Sequence, residues 1–466
     1  MRPGPRDGVT RIIQAILLTA LVAAGAGGCG REAGTTPGGR APLIGAYYYV
    51  WYDQAEWDLG YLGRELQPPV TPLLGEYASA DPRTAAQHIR WAGDYGIDFF
   101  AVSWPGRASR QDRYLRAGLL AAPNLDDIRF AIFYESLLAL GTPKGEIRLD
   151  DVAIERLRAD VEYLGREYLA HPRYLRIGGR PALFLYVTRV LTGRHREAIA
   201  VIRRTLARQG HAVYLIGDEV FWQIPSRDRI RLFDAITAYN MYDWPRTEQG
   251  GYAAGSAFLG AVQEQYERFR RVAGDGHVAF VPSVIPGYND RGVRPREDHY
   301  VIPRLLSPDA DEGSLFARSL QELGLALLDD RNPLLMITSF NEWHEWSQIE
   351  PARPGPPTTR DPSYTLDFPH RGYGLRYLEV LRDAVVAVSG RLVRGPGKDP
   401  VRGAEVRAVR GGVVTATVRT DSTGAFRFAR RALPPDRYEL VADRGRARLT
   451  VDVGASWTGP VELVAE

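Results

Sequence analysis

Three features of the sequence predict an α/β fold, a (β/α)8 TIM barrel followed by a small C-terminal all-β sandwich. Eight short apolar runs lie between Leu43 and Thr338, helix-like stretches separate most of them, and after Val388 the chain turns to Val/Arg alternations cut by Gly and Pro. Short runs that are apolar on both faces suit strands buried in a parallel sheet. Eight βα units in about 340 residues fit a barrel with enlarged loops. An open doubly wound sheet is the competing arrangement. The first run continues into Tyr47–Tyr52 and carries no glycine-rich dinucleotide fingerprint, which argues against that alternative.

The elements follow in order. Residues 1–29 have the layout of an export signal: Arg2, Arg6 and Arg11 precede the apolar run Ile12–Ala24, then Gly25–Gly28 and Cys29. The run is too short for a mature membrane span. Cys29, the only cysteine in the chain, resembles the lipidated cysteine of bacterial lipoproteins, although Ala26 stands where leucine is more usual. The resemblance implies an exported protein anchored to the cell envelope through an N-terminal lipid, with ordinary secretion as the alternative. With one cysteine there is no internal disulfide, so the domains hold by packing alone. Residues 30–42 read as a tether, 43–386 as the barrel and 387–466 as the sandwich.

The expected barrel strands are Ile44–Tyr49, Phe99–Ser103, Arg129–Tyr134, Ala182–Tyr186, Ala212–Ile216, Phe233–Tyr239, Val278–Pro282 and Leu335–Thr338. Amphipathic stretches such as Thr84–Tyr95, Asp151–Tyr168 and Arg196–Gln209 supply helices between them. In such barrels the chemistry sits at the C-terminal strand ends. There the sequence places Tyr49 and Trp51, Ser103 and Trp104, Glu135, Tyr186, Asp218 and Glu219, Tyr239 and Tyr242, and Tyr288 with Asp290. Any one aromatic is more often core or rim packing. Recurrence at nearly every strand end points to a shared cleft in which flat rings meet sugar C–H faces and carboxylates grip hydroxyls. Tyr49, Trp51, Trp104, Glu135, Glu219, Tyr288 and Asp290 are accordingly candidate substrate contacts.

Formal charge is +3, and the arginines are scattered, the densest group being Arg427–Arg431. No basic groove with interleaved aromatics appears, which disfavours nucleic acid as a partner. No cofactor motif and no protein-partner signal stands out.

The densest chemistry is FNEWHEWSQIEP, Phe340–Pro351, just beyond the eighth run. Glu342 and Glu345 are three residues apart, so one helical turn would place both carboxyls on the same side. Like charges in a poorly hydrated cleft push one pKa up, leaving one acid and one base near neutral pH. Glycosidic cleavage needs such a pair. His344 has no HExxH spacing, and a metal needs three or four ligands; a hydrogen-bonding role is the expectation, and no metal site is predicted. Asn341 is placed to orient a glutamate by hydrogen bonding.

Phe340–Pro351 resembles the signature of glycoside hydrolase family 99, the endo-α-1,2-mannosidase family, whose usual form is Trp-Asn-Glu-Trp-His-Glu-Gly-Thr-Gln-Ile-Glu-Pro. Tyr48–Tyr52, Gly96–Trp104 and Phe280–Asp290, running on to Arg294-Pro295, agree with it in order and separation, and the likeness spans residues 43–383. The resemblance implies a retaining, endo-acting enzyme on α-mannosides of an oligosaccharide or polysaccharide. In its proposed route, Glu342 is base to the 2-hydroxyl, which closes a 1,2-anhydro sugar. Glu345 is acid to the leaving oxygen, then base to water. Trp346-Ser347 stands where the family has Gly-Thr, which implies either a cleft wall narrowed by the indole or a displaced loop. Asp421–Phe428 with Leu433–Tyr438 resembles the transthyretin-like domain found beside carboxypeptidases, a scaffold likeness that implies no peptidase activity. A non-catalytic carbohydrate-binding surface lipoprotein, a sugar-transfer protein and a purely structural lipoprotein are the rival readings.

Overall fold

The computed structural model describes residues 42–141, 147–242, 253–295, 301–359, 361–442 and 445–465. The predicted export signal, Cys29 and the tether up to residue 41 lie outside the described residues. Among the described residues, no helix is long and apolar enough to cross a membrane.

Eight parallel strands form the barrel: β1 (Leu43–Tyr48), β2 (Phe99–Trp104), β3 (Arg129–Tyr134), β4 (Arg180–Leu185), β5 (Tyr214–Asp218), β6 (Ala235–Thr237), β7 in two pieces (Ala279–Val281 and Ser283–Val284) and β8 (Leu334–Ile337). β7 closes the sheet in an unusual way. Its first piece pairs with β6 and its second with β8, and Pro282, which has no N–H to offer the ladder, divides them. β1 pairs with β8 and β2. The main helices are α1 (Pro82–Tyr95), α2 (Arg110–Ala117), α3 (Asp151–Glu167), α4 (His195–Arg208), α5 (Arg227–Ile230), α6 (Ala253–Asp275), α7 (Ser314–Ser319) and α8 (Arg376–Val385), one after each strand in turn.

The predicted fold class holds, and strand limits moved by one or two residues. α1 shows why such boundaries fall where they do. Asp81 caps its N-terminus by accepting from Arg83 N–H, Pro82 opens it, and Gly96 ends it at φ +100°. The last helix stops at Val385 because the sandwich begins at once with Val386–Arg394.

The C-terminal region forms two four-stranded sheets, largely antiparallel. They enclose a separate core that includes Val388, Leu392, Val406, Phe426, Phe428, Tyr438 and Leu440. This region covers the N-terminal end of the barrel. Arg427 donates to Gly93 O (2.7 Å), Ile97 O (3.0 Å) and Asp98 Oδ1 (2.6 Å), all just before β2, and Asp127, just before β3, accepts from Ser422 N–H (2.8 Å). The opposite end, where the strands finish, is left to the loops that carry the motif residues.

Candidate active site

The stretch after β8 is a turn over Trp343–Trp346 and not the helical turn expected for it. The Asn341 side chain sets its course by imitating a strand partner. Its Oδ1 accepts from Tyr49 N–H (2.7 Å), and its Nδ2 donates to Tyr49 O (2.9 Å) and Tyr77 Oη (3.2 Å). This joins the end of β1 to the loop after β8, and it occupies most of the amide's hydrogen-bonding capacity. The Tyr52 hydroxyl repeats the join, donating to Asn341 O (2.8 Å) and accepting from Trp343 N–H (3.0 Å).

Glu350, at the end of the same motif, anchors the loop from below. It is fully buried with His88 at 3.1 Å, and it accepts from Tyr77 Oη (2.8 Å) and Trp343 Nε1 (2.7 Å). Sequence reading passed over both Glu350 and His88. Glu350 sat in view within the motif, whereas His88 lies in α1 with no local signal.

Glu342 and Glu345 lie close enough for their charges to interact. Glu342 is almost wholly buried, its own N–H donates to Ser339 Oγ (2.8 Å), and its Oε1 accepts from His344 N–H (3.0 Å) and lies 3.5 Å from His344 Nδ1. Burial pulls the His344 imidazole down, but the Glu342 carboxylate together with Glu56 outweighs it, and its pKa sits above the ordinary value. Glu345 keeps 15% side-chain exposure, accepts from Tyr242 Oη (2.9 Å) and lies 3.5 Å from Arg294. Burial, then the charge of Glu342, pushes its carboxyl up to about 7 against the opposing pull of Arg294 and Tyr242.

A third carboxyl joins them. Glu135, at the end of β3, accepts from Ser103 Oγ (2.8 Å) and is pushed up to about 8, first by burial and then by Glu342, Glu345 and Asp218 against the Ser103 hydrogen bond. Tyrosines fill the space between. Tyr49 and Tyr239 share a hydroxyl contact, and Tyr242 stacks on Tyr288 at 4.0 Å and 11°. Asp218 holds the ends of β4 and β6 by accepting from Val187 N–H and Tyr239 N–H (both 3.0 Å) while paired with Arg189 (2.9 Å). Trp51 lies against Tyr49 (4.4 Å) and His344 (5.8 Å), and Asp290 pairs with Arg294 (2.9 Å) beside Glu345. Among the described residues, no three His, Cys, Asp or Glu side chains converge to hold a metal ion.

Three expected contacts sit elsewhere. In β2 the side chains alternate, so Ser103 faces Glu135 while Trp104 points into the helix layer, fully buried, donating to Asp112 of α2 (2.7 Å) and stacking on Tyr163. Both oxygens of Glu219 are taken by Arg229 (3.2 and 3.0 Å), which also donates to Leu191 O (3.0 Å) and Thr188 O. Trp346 turns behind the loop, 1% exposed, against Trp343 (5.9 Å) and His370 (5.6 Å). The indole is therefore packed under the motif and does not form a wall beside the glutamates.

Comparison with known proteins places this arrangement. The family model for glycosyl hydrolase family 99 matches residues 233–385. The chain is 24% identical over 378 residues to a glycoprotein endo-α-1,2-mannosidase of Rattus norvegicus, covering 73% of each, and 25% identical over 373 residues to that of Mus musculus, again 73% of each. The barrel fold recurs in the GH99 endo-α-mannosidase of Bacteroides thetaiotaomicron (TM-score 0.51, 20% identity, 73% of this chain and 95% of that one). It recurs also in a glycoside hydrolase-like protein (TM-score 0.54, 19% identity, 76% and 96%). A barrel with carboxyl groups gathered at its C-terminal rim and such relatives is a glycoside hydrolase. More particularly, the chain is similar to endo-α-1,2-mannosidases over 73% of its length, and the second half of its barrel matches the model of glycosyl hydrolase family 99.

Proposed function

We propose that the protein is a retaining, endo-acting hydrolase of α-mannoside-type glycans, with Glu342 and Glu345 as its base and acid. The observation that carries this reading is the asymmetry of the pair. Burial and the charge of Glu342 raise Glu345 to about 7, while Glu342 accepts the backbone N–H of His344 (3.0 Å) and lies 3.5 Å from its Nδ1. An acid and a base in one pocket are what cleavage without a glycosyl-enzyme ester requires.

In the first step Glu342 takes the proton of the 2-hydroxyl and that oxygen attacks C1. The C1–O bond to the leaving sugar breaks, and its oxygen takes the proton of Glu345. In the second, Glu345, now a carboxylate, takes a proton from water, whose oxygen attacks C1 and opens the 1,2-anhydro ring. O2 regains its proton from Glu342. Two inversions at C1 give retention. Tyr49, Trp51, Glu135, Tyr288 and Asp290 line the sugar site in this reading, with Asn341 and His344 holding Glu342 in place. The C-terminal sandwich acts as a transthyretin-like spacer, and a lipid on Cys29 tethers the mature protein to the envelope.

The test is turnover of an α-mannan and related glycan panel by the form lacking residues 1–29, with product sizing and proton NMR of the first anomer released. Glu342→Gln and Glu345→Gln are expected to lose about 10²–10⁴ in kcat. Unchanged turnover in either variant defeats the assigned roles, and initial release of the inverted anomer defeats the retaining route. Binding without product release, insensitive to both substitutions, would instead mark a carbohydrate-binding protein.

A further inference from the structure

Behind the motif loop, on the side away from the sugar site, lies a buried cation that nothing in the motif announces. Arg304 is 6% exposed and makes no ion pair with a carboxylate among the described residues. Its Nη2 donates to Trp346 O (2.8 Å) and Gln348 O (2.7 Å). Its guanidinium carbon lies over the rings of Tyr377 (4.4 Å), Tyr373 (5.1 Å) and Trp346 (5.3 Å). Among the described residues no carboxylate touches it, and carbonyl dipoles and ring faces accommodate the charge, with Glu312 adding a longer-range attraction.

The carbonyls that follow Glu345 are all claimed from outside the loop. Glu345 O accepts from Asn289 N–H (2.8 Å) and Ser347 O from Ser339 N–H (2.7 Å), while Arg304 takes the other two. Two further features are built around this clamp. At Gly287, φ is +148° and a Cβ would fall 2.5 Å from Arg304 Cγ, so only glycine lets the arginine pass. Trp346 adopts φ +52°, a left-handed conformation that glycine takes freely and an indole does not, and its ring walls the guanidinium.

We propose that Arg304 is the positioning residue for Glu345. By fixing the backbone on either side of Ser347, it aims the adjacent carboxyl at the leaving oxygen. The inference rests on the assignment of Glu345 as acid made above. Hydrogen bonds to a charged donor stabilise such a loop more than neutral ones do, and a misplacement of about 1 Å in a reacting group costs about 10²-fold in rate.

The experiment compares Arg304→Lys and Arg304→Met with the parent on two substrates: the oligosaccharide, whose alcohol leaving group needs a proton, and the glycosyl fluoride of the same glycan, whose leaving group does not. The readout is the ratio of the two kcat/KM values, which report the step that expels the leaving group and not the shared opening of the anhydro sugar, and whose ratio is independent of how much of a preparation is folded. Both variants are expected to lose about 10²-fold on the oligosaccharide with little change in KM, and less than about tenfold on the fluoride, lysine being the milder. An unchanged ratio, whether or not total activity falls, overturns the inference and leaves Arg304 a purely structural residue. Glu345→Gln run alongside separates the two levels. If it spares the fluoride while the Arg304 variants do not, only this inference fails. If it depresses both substrates equally, the acid assignment beneath it fails.

Discussion

Tyr242 donates its hydroxyl proton to Oε2 of Glu345 across 2.9 Å. That contact favours the ionised carboxyl and so opposes the burial and the Glu342 charge that push Glu345 up to about 7. If protonated Glu345 is the acid, activity falls as pH rises through about 7. Removing the phenol removes a force that lowers the pKa. Tyr242→Phe is therefore expected to shift the alkaline limb of the kcat/KM profile upward, by about half a unit to one unit. A downward shift would contradict the geometry.

Glu135 gives a stability counterpart. Its carboxyl is pushed from 4.5 to about 8 in the folded protein. A carboxyl with a raised folded pKa weighs nothing against folding below its unfolded value and costs stability as pH rises toward the folded one. Glu135→Gln, a neutral mimic, should match the parent in Tm at pH 4, gain on it steadily up to pH 8, and gain no more beyond. The full shift corresponds to roughly 5 kcal/mol, of which relaxation of the site leaves about 1–3 kcal/mol to be seen. Thermal melts across that range read it directly, and a gain already present at pH 4 would place its cause outside titration.

Glu350 is the support whose loss is felt furthest. Its carboxyl accepts from Tyr77 and Trp343 and faces His88, all within the core beneath the motif. Glu350→Ala strands three buried polar partners and is expected to cost about 3–5 kcal/mol, measured by urea unfolding. Glu350→Gln keeps an acceptor and should cost less, about 1–3 kcal/mol. Because Trp343 directly follows Glu342 and opens the turn, activity per folded molecule should drop in both.

The strands were legible because parallel strands buried on two faces leave dense apolar runs, and the rim residues followed from where those runs stop. The seventh run is expected to end at Pro282; that the strand resumes beyond it and pairs with a second neighbour needed closure of the whole sheet. The helical turn expected for Glu342–Glu345 did not form because the backbone groups around it have outside partners: the Tyr52 hydroxyl at Asn341 O and Trp343 N–H on one side, Asn289, Ser339 and Arg304 on the other. Spacing along the chain reports none of those. Trp104 could have been placed from period-two alternation once Ser103 faced inward, whereas the bonding of Glu219 to Arg229 depends on α5, ten residues away, with no local signal.

Trp346 sets two opposing effects against each other. Its φ of +52° is strained for an indole and natural for glycine, a backbone cost of about 1–3 kcal/mol that Trp346→Gly would relieve. The same change empties the space between Trp343, His370 and Arg304, where the ring is 1% exposed. Removing a buried aromatic of this size costs about 3–5 kcal/mol, and the loss of a ring face over a buried guanidinium adds to it. Cavity formation outweighs strain relief, so Trp346→Gly is expected to destabilise the protein by about 1–3 kcal/mol on balance in urea unfolding. Because the indole lies behind the loop, the order of preference among glycan substrates should stay as in the parent. A changed order of preference would mean that the ring reaches the sugar after all.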